Sequence, residues 1–257
     1  MEKQISYELK KKIVLGMHRE GMIMTWKKDK PEGWTLGNGS WSPFYLQVRH
    51  MSSAEQGTYR ASVEAMGILM ENGGFKADGH TKNVGIAMGG IPLADGIAYE
   101  YGIPALYTRK LPQEVKTDAD LEKYLAEHGQ KSLVEGSFSE TDKLGLVDDL
   151  VSTFSAKLLG IGMVKREGEI RKFKEPVKIN HIFVLFDREQ GAQQKAKENG
   201  IELYSAIGFV KDALPILRKA GVWEDIEHSV VKDYLADPMK YQDKRMQKEL
   251  LDLTRRM

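Results

Sequence analysis

The stretch Leu144-Gly145-Leu146-Val147-Asp148-Asp149-Leu150-Val151-Ser152-Thr153-Phe154-Ser155-Ala156 decides the fold. An apolar run, Leu144 to Val147, reads as a buried strand that goes straight into two carboxylates and a hydroxyl-rich turn. A helix-like stretch, Lys157 to Met163, follows. In a parallel sheet this order sets both acids at the carboxyl edge, where ligands bind. The helix N-terminus can offer backbone N–H groups to a phosphate, together with the hydroxyls of Ser152, Thr153 and Ser155. Asp148 and Asp149 can accept hydrogen bonds from ribose hydroxyls, so the chemistry suggested is that of a sugar phosphate. Alone, the stretch fits equally well two acids at a strand end and a Ser152 or Thr153 helix cap.

The flanking sequence alternates in the manner of βαβ units. Val84 to Met88 reads as a strand ending in glycines, Ile91 to Tyr101 as a helix closed by Gly102, and Ala105 to Arg109 as a second strand. Ile179 to Phe186 is a strongly apolar strand that ends in Asp187-Arg188-Glu189. This pattern predicts an α/β fold with a central, mostly parallel sheet flanked by helices. Helices are further expected over Ile5 to Arg19, Ser53 to Met70 and Lys240 to Met257, and a turn-rich loop over Lys30 to Ser42. The polar stretch between Lys110 and His128 reads as a mobile flap or a short surface helix.

Composition narrows the function. With 38 Lys and Arg against 37 Asp and Glu, the net charge of +1 draws no nucleic acid from a distance, so phosphate recognition must be local. The chain has no cysteine, which excludes disulfides, thiolate metal sites and thiol nucleophiles. A charged N-terminus and the lack of any ~20-residue apolar run predict a soluble, cytoplasmic protein with no membrane partner. Gly-x-Gly-x-x-Gly, the Walker phosphate loop, His-Glu-x-x-His and Gly-x-Ser-x-Gly are all missing, which disfavours dinucleotide oxidoreductases, P-loop NTPases, zincins and α/β-hydrolases.

The decisive stretch resembles the phosphoribosyl-diphosphate (PRPP) signature of type I phosphoribosyltransferases. Four more segments, in order, are similar to orotate phosphoribosyltransferase. Ser42-Pro43-Phe44-Tyr45 resembles the segment whose aromatic rings pack on the flat base. Met88-Gly89-Gly90-Ile91-Pro92 resembles the pyrophosphate-contacting loop, where glycine lets the backbone approach an anion. Arg109-Lys110 and His128-Gly129 resemble the flexible catalytic loop, and Phe186-Asp187-Arg188 the strand end whose arginine pairs with the orotate carboxylate. The likeness runs from about Trp34 to Ser205 and rests on order and co-occurrence, because each segment alone also fits a core, turn or surface role.

The resemblance implies a type I phosphoribosyltransferase fold with a small hood. It divides the chain into an N-terminal hood and base-recognition segment (1–75), a core (76–210) and a C-terminal helical extension (211–257). It implies transfer of phosphoribosyl from PRPP to orotate, with Asp148, Asp149, Arg109, Lys110 and His128 as catalytic residues. Phe44, Tyr45, Gly89, Gly90, Ser152, Thr153, Phe154, Ser155, Ala156 and Arg188 would bind substrate. Mg²⁺ would enter on PRPP with no direct protein ligand assigned, and the loop would close over the neighbouring subunit's site in a homodimer.

Three departures leave other readings open. Gly37 stands where the family carries a lysine, and Phe154 where it prefers glycine, at about 1 kcal/mol or more if φ must be positive. The catalytic loop is longer than the pattern, and Ala126 replaces its expected lysine, a part Lys116 or Lys123 could take. A non-catalytic PRPP- or nucleotide-binding regulator and a transferase for another base therefore stay in view.

Overall fold

The computed structural model describes residues 3–36, 39–129 and 131–255. Gly37, one of the three departures, lies outside them. The chain opens with helix α1 (Tyr7–Arg19), capped by the Ser6 side chain, and three short strands, β1 (Ile23–Thr25), β2 (Trp34–Thr35) and β3 (Trp41–Ser42). It continues with β4 (Phe44–Leu46), α2 (Gln56–Asn72), β5 (Thr81–Gly85), α3 (Gly90–Tyr101) and β6 (Ala105–Thr108). Next come α4 (Asp118–His128), β7 (Val134–Glu135), β8 (Lys143–Val151), α5 (Ser155–Ile170) and β9 (Ile179–Asp187). The last part holds α6 (Ala192–Glu198), β10 (Glu202–Gly208), α7 (Leu214–Lys219), α8 (Asp225–Ala236) and α9 (Lys244–Arg255).

Among the described residues, six strands form the central sheet in the order β10-β9-β8-β5-β6-β7, parallel except for β7. From Ile182 to Leu185, successive residues of β9 serve opposite faces, as the two-residue repeat of a strand requires. Phe183 and Leu185 join the core under α2 and α3, whereas Ile182 and Val184 join the one under α5 and α6. Gly102, at φ 67°, closes α3 as its sequence position predicts.

The hood consists of β1 paired antiparallel with β4, and β2 with β3. Its underside shares one core with the C-terminal helices: Trp26 and Phe44 pack with Phe209, Trp223 and Tyr234. Buried Glu227 accepts a 2.5 Å hydrogen bond from the Thr25 hydroxyl, which ties β1 to α8 across the length of the chain.

Some expected elements differ in extent. The Asp148 strand does not stop at Val147 but runs to Val151, hydrogen-bonded alongside β9. Both acids therefore sit within the last residues of β8. Within the segment after Lys110, residues Asp118–His128 form a regular helix, α4, started by a reciprocal Thr117–Asp120 capping box. The Lys30–Ser42 loop holds β2 and β3, and the helix expected from Lys240 begins only at Lys244, as α9, after a separate turn of 3-10 helix at Lys240–Gln242.

Candidate active site

A cavity of about 270 Å³ opens at the carboxyl edge of the sheet, between that edge and the hood. The hood supplies Leu36, Tyr45, Gln47 and Arg49, the β5–α3 turn supplies Met88 and Gly89, and β8 with α5 supplies Asp148, Asp149, Ala156 and Lys157. Arg188, just past β9, closes it.

The two acids have different surroundings. Asp148 is buried, and its Oδ2 lies 2.6 Å from the Lys157 ammonium, which also donates to the Leu150 carbonyl. Its Oδ1 accepts the Asp149 N–H at 2.8 Å. Asp149 faces the cavity. Burial first, and then the Asp148 charge and hydrogen bond, push its carboxyl up to about 8, while Lys157 and Arg49 pull the other way.

The glycine pair is explained by space. A Cβ on Gly89 would stand 2.1 Å from Asp149 Oδ2, and one on Gly90 would stand 2.2 Å from the Val147 carbonyl. A side chain at Gly89 displaces the Asp149 carboxylate, and one at Gly90 displaces the acid strand itself. The Ala87–Met88 peptide just before is cis.

Downstream of the acids, Ser152 is half-buried and Thr153, Ser155 and Ala156 are exposed. None of these three hydroxyls is hydrogen-bonded to another described residue. Phe154 takes φ 72°, ψ −13° immediately before α5, and its ring is buried in the core below. The residue that the resemblance expects to be glycine therefore does adopt the left-handed conformation. The N–H groups of Ser155 and Ala156 come before the first bond of α5, which the Lys157 N–H makes to the Phe154 carbonyl at 3.0 Å, and they border the exposed turn.

Arg188 is 8% exposed, and its Nε and Nη2 have no partner among the described residues. The guanidinium lies 4.7 Å from the centre of the Phe44 ring and beside Tyr234. Burial lowers its pKa, and Tyr234 opposes that shift. A buried cation with two unpaired donors on a cavity wall is costly unless an anion completes it.

The remaining residues singled out from the sequence fall in two places. Tyr45 lines the cavity and stacks on Trp34 at 6.0 Å, while Phe44 lies beneath Arg188 in the core, stacked on Phe209 at 4.9 Å. Arg109, Lys110 and His128 do not reach the cavity within this chain. Arg109 pairs with Glu135, Lys110 is exposed, and His128 stacks on Tyr124 at 4.6 Å in its own helix. Ala126, Lys116 and Lys123 lie on or near the same helix and away from the cavity; α4 is held to α5 by Arg166, which pairs with Glu122 and Asp118. Arg49 and Lys157 carry charge into the site, yet as an arginine of a short 3-10 helix and a lysine of a helix's first turn they resemble ordinary surface residues.

No family model matches the chain. It is 26% identical over 172 residues to the orotate phosphoribosyltransferase of Pyrococcus furiosus, covering 67% of this chain and 81% of that one. It is 28% identical over 225 residues to that of Staphylothermus marinus, covering 87% and 93%. The crystal structure of orotate phosphoribosyltransferase from Aeropyrum pernix matches with a TM-score of 0.58 at 21% identity, over 82% of this chain and 99% of that one. The fold is that of the phosphoribosyltransferases.

Proposed function

We propose that this chain, divergent from but similar to orotate phosphoribosyltransferases, transfers the 5-phosphoribosyl group of PRPP to N1 of orotate, releasing pyrophosphate and forming orotidine 5′-monophosphate. One observation carries the reading: the buried, half-unpaired guanidinium of Arg188 on the wall of a cavity that also holds the acid edge and the open phosphate turn. Such a cation suits a planar carboxylate, which it can grip with two parallel N–H bonds. Tyr45, backed by Trp34, offers a flat face to the base.

The other end of the cavity suits the sugar phosphate. Asp149 accepts from ribose hydroxyls, the turn of Ser152 to Ala156 receives the 5′-phosphate on N–H and hydroxyl donors, and Gly89-Gly90 lets the backbone approach the diphosphate. As the C1–O bond breaks, positive charge grows on the ribose and negative charge on the diphosphate, so fixed charges and exclusion of water do most of the work. Among the described residues no three carboxylate or imidazole groups gather to hold a metal ion by themselves. In this reading Mg²⁺ would be brought in on the diphosphate, where it would supply positive charge to the leaving group.

Arg109, Lys110 and His128, directed away from this cavity, fit a role at a second copy's site, so we place the chain in a homodimer. No described helix is long and apolar enough to cross a membrane, and a cytoplasmic enzyme of pyrimidine nucleotide synthesis suits the rest. The departures at Gly37, Phe154 and Ala126 keep open a second reading, a PRPP-binding protein without transfer. Purified protein with PRPP and Mg²⁺ separates the two when orotate, uracil, hypoxanthine and adenine are offered in parallel and absorbance is followed. Consumption of orotate alone supports the first reading, transfer to another base moves the assignment to that base, and PRPP binding with no transfer selects the second.

A further inference from the structure

The turn that would receive the phosphate has an unusual tether. Lys157 is the third residue of α5, yet its side chain is only 5% exposed, and it returns under the turn to the end of β8. There its ammonium contacts two residues of the strand, the carboxylate of Asp148 at 2.6 Å and the carbonyl of Leu150. The tether spans nine positions and encloses all of Ser152 to Ala156. Because Asp148 Oδ1 already accepts the Asp149 N–H, both oxygens of Asp148 are taken up inside the chain.

From this geometry we infer that Lys157 is a positioning residue for the phosphoribosyl end of the site, and that it withdraws Asp148 from ligand binding so that Asp149 alone accepts from the sugar. The inference rests on the proposed PRPP reading for its ligand, and the staple itself is a property of the chain. Two anchors then hold the turn, the buried Phe154 ring in the core and the Lys157–Asp148 pair at the strand end. Its hydroxyls stay free of other described residues. The pair also cancels the Asp148 charge where a phosphorylated ligand must approach, and close charges interact strongly at low local dielectric.

Removing Lys157 alone leaves the Asp148 charge buried and unpaired, the costly way to break such a pair, whereas neutralising both partners together is far better tolerated. The test compares Lys157→Met, the double variant Asp148→Asn/Lys157→Met, and Asp149→Asn, with PRPP and orotate affinities measured by calorimetry and steady-state KM. Amide hydrogen exchange is followed over residues 150–158. Lys157→Met is expected to weaken PRPP at least tenfold while orotate changes less than about threefold, with exchange accelerated in the turn. The double variant lacks the staple but relieves the buried charge, so it should be more stable than Lys157→Met and still bind PRPP at least tenfold more weakly than wild type, with exchange in the turn still accelerated. Asp149→Asn should weaken PRPP at least tenfold with exchange in the turn at the wild-type rate. Equal weakening of both ligands, wild-type PRPP affinity in the double variant, or loss of PRPP with exchange unchanged overturns the inference. If Lys157→Met does not fold, the double variant decides by the same two readouts. If the wild-type chain binds no PRPP at all, the function proposed above falls by itself. The staple then stands if exchange quickens in the double variant, and falls if it keeps the wild-type rate.

Discussion

Phe154 offers a test in which the usual order of two substitutions is reversed. It holds φ 72° with its ring 2% exposed, so one residue combines an unfavourable backbone with a favourable side chain. Truncating a buried Phe to Ala costs about 3–5 kcal/mol in lost burial and cavity. Alanine keeps the left-handed backbone cost, and glycine removes it. At a positive-φ site alanine is worse than glycine by about 1 kcal/mol, even after the greater freedom of glycine in the unfolded chain is counted. Phe154→Ala should therefore lose about 3–5 kcal/mol and Phe154→Gly about 2–4 kcal/mol. In most buried or helical positions glycine is the worse of the two. Urea unfolding followed by tryptophan fluorescence gives both values, and in a thermal scan the gap of about 1 kcal/mol amounts to roughly 2–4 °C for a domain of this size. Alanine equal to or better than glycine would mean that the turn does not need a left-handed residue, and the account of the phosphate turn would lose its backbone argument.

Other perturbations follow from the same site. Arg188→Leu removes a buried cation with unpaired donors, so it should raise the stability of the ligand-free chain by about 1–3 kcal/mol while raising KM for orotate at least a hundredfold and leaving that for PRPP within about threefold; a destabilised variant with unchanged orotate KM contradicts both halves. For Asp149 the folded chain binds its proton more tightly than the unfolded one, so its carboxyl makes stability fall as pH rises from about 4 to about 8. Asp149→Asn should thus unfold at higher urea than wild type, by a margin that is small at pH 4 and reaches a few kcal/mol near pH 8; a margin that shrinks with pH refutes the shift. Gly89→Ala, at an ordinary φ of −70°, adds a methyl 2.1 Å from the Asp149 carboxylate, and calorimetry should show PRPP bound at least tenfold more weakly.

What was legible locally in the sequence is what depends on neighbouring residues. Gly102 marks the end of α3 and holds in the structure, the switch to Asp148-Asp149 falls within the last residues of β8 although the strand runs on to Val151, and Gly89-Gly90 makes a close backbone approach to that strand. Thr117 and Asp120 have the spacing of a capping box as well, so α4 was written in the sequence, although the charged residues around it suit a flap equally. The hood is different, because β2 and β3 are two residues each and too short for any periodicity to show. The hood holds its place through contacts about two hundred residues away: from β3 the Trp41 N–H donates to Gln242, and from β1 the Thr25 hydroxyl to Glu227. Lys157 is the sharpest case. In a first helical turn a lysine normally points to solvent, and only the return of β8 beneath the turn makes an ammonium there the counter-ion of Asp148. The adjacent acids, alike in sequence, thus become unlike in the fold: one is held by a lysine nine residues on, and the other is left facing the cavity.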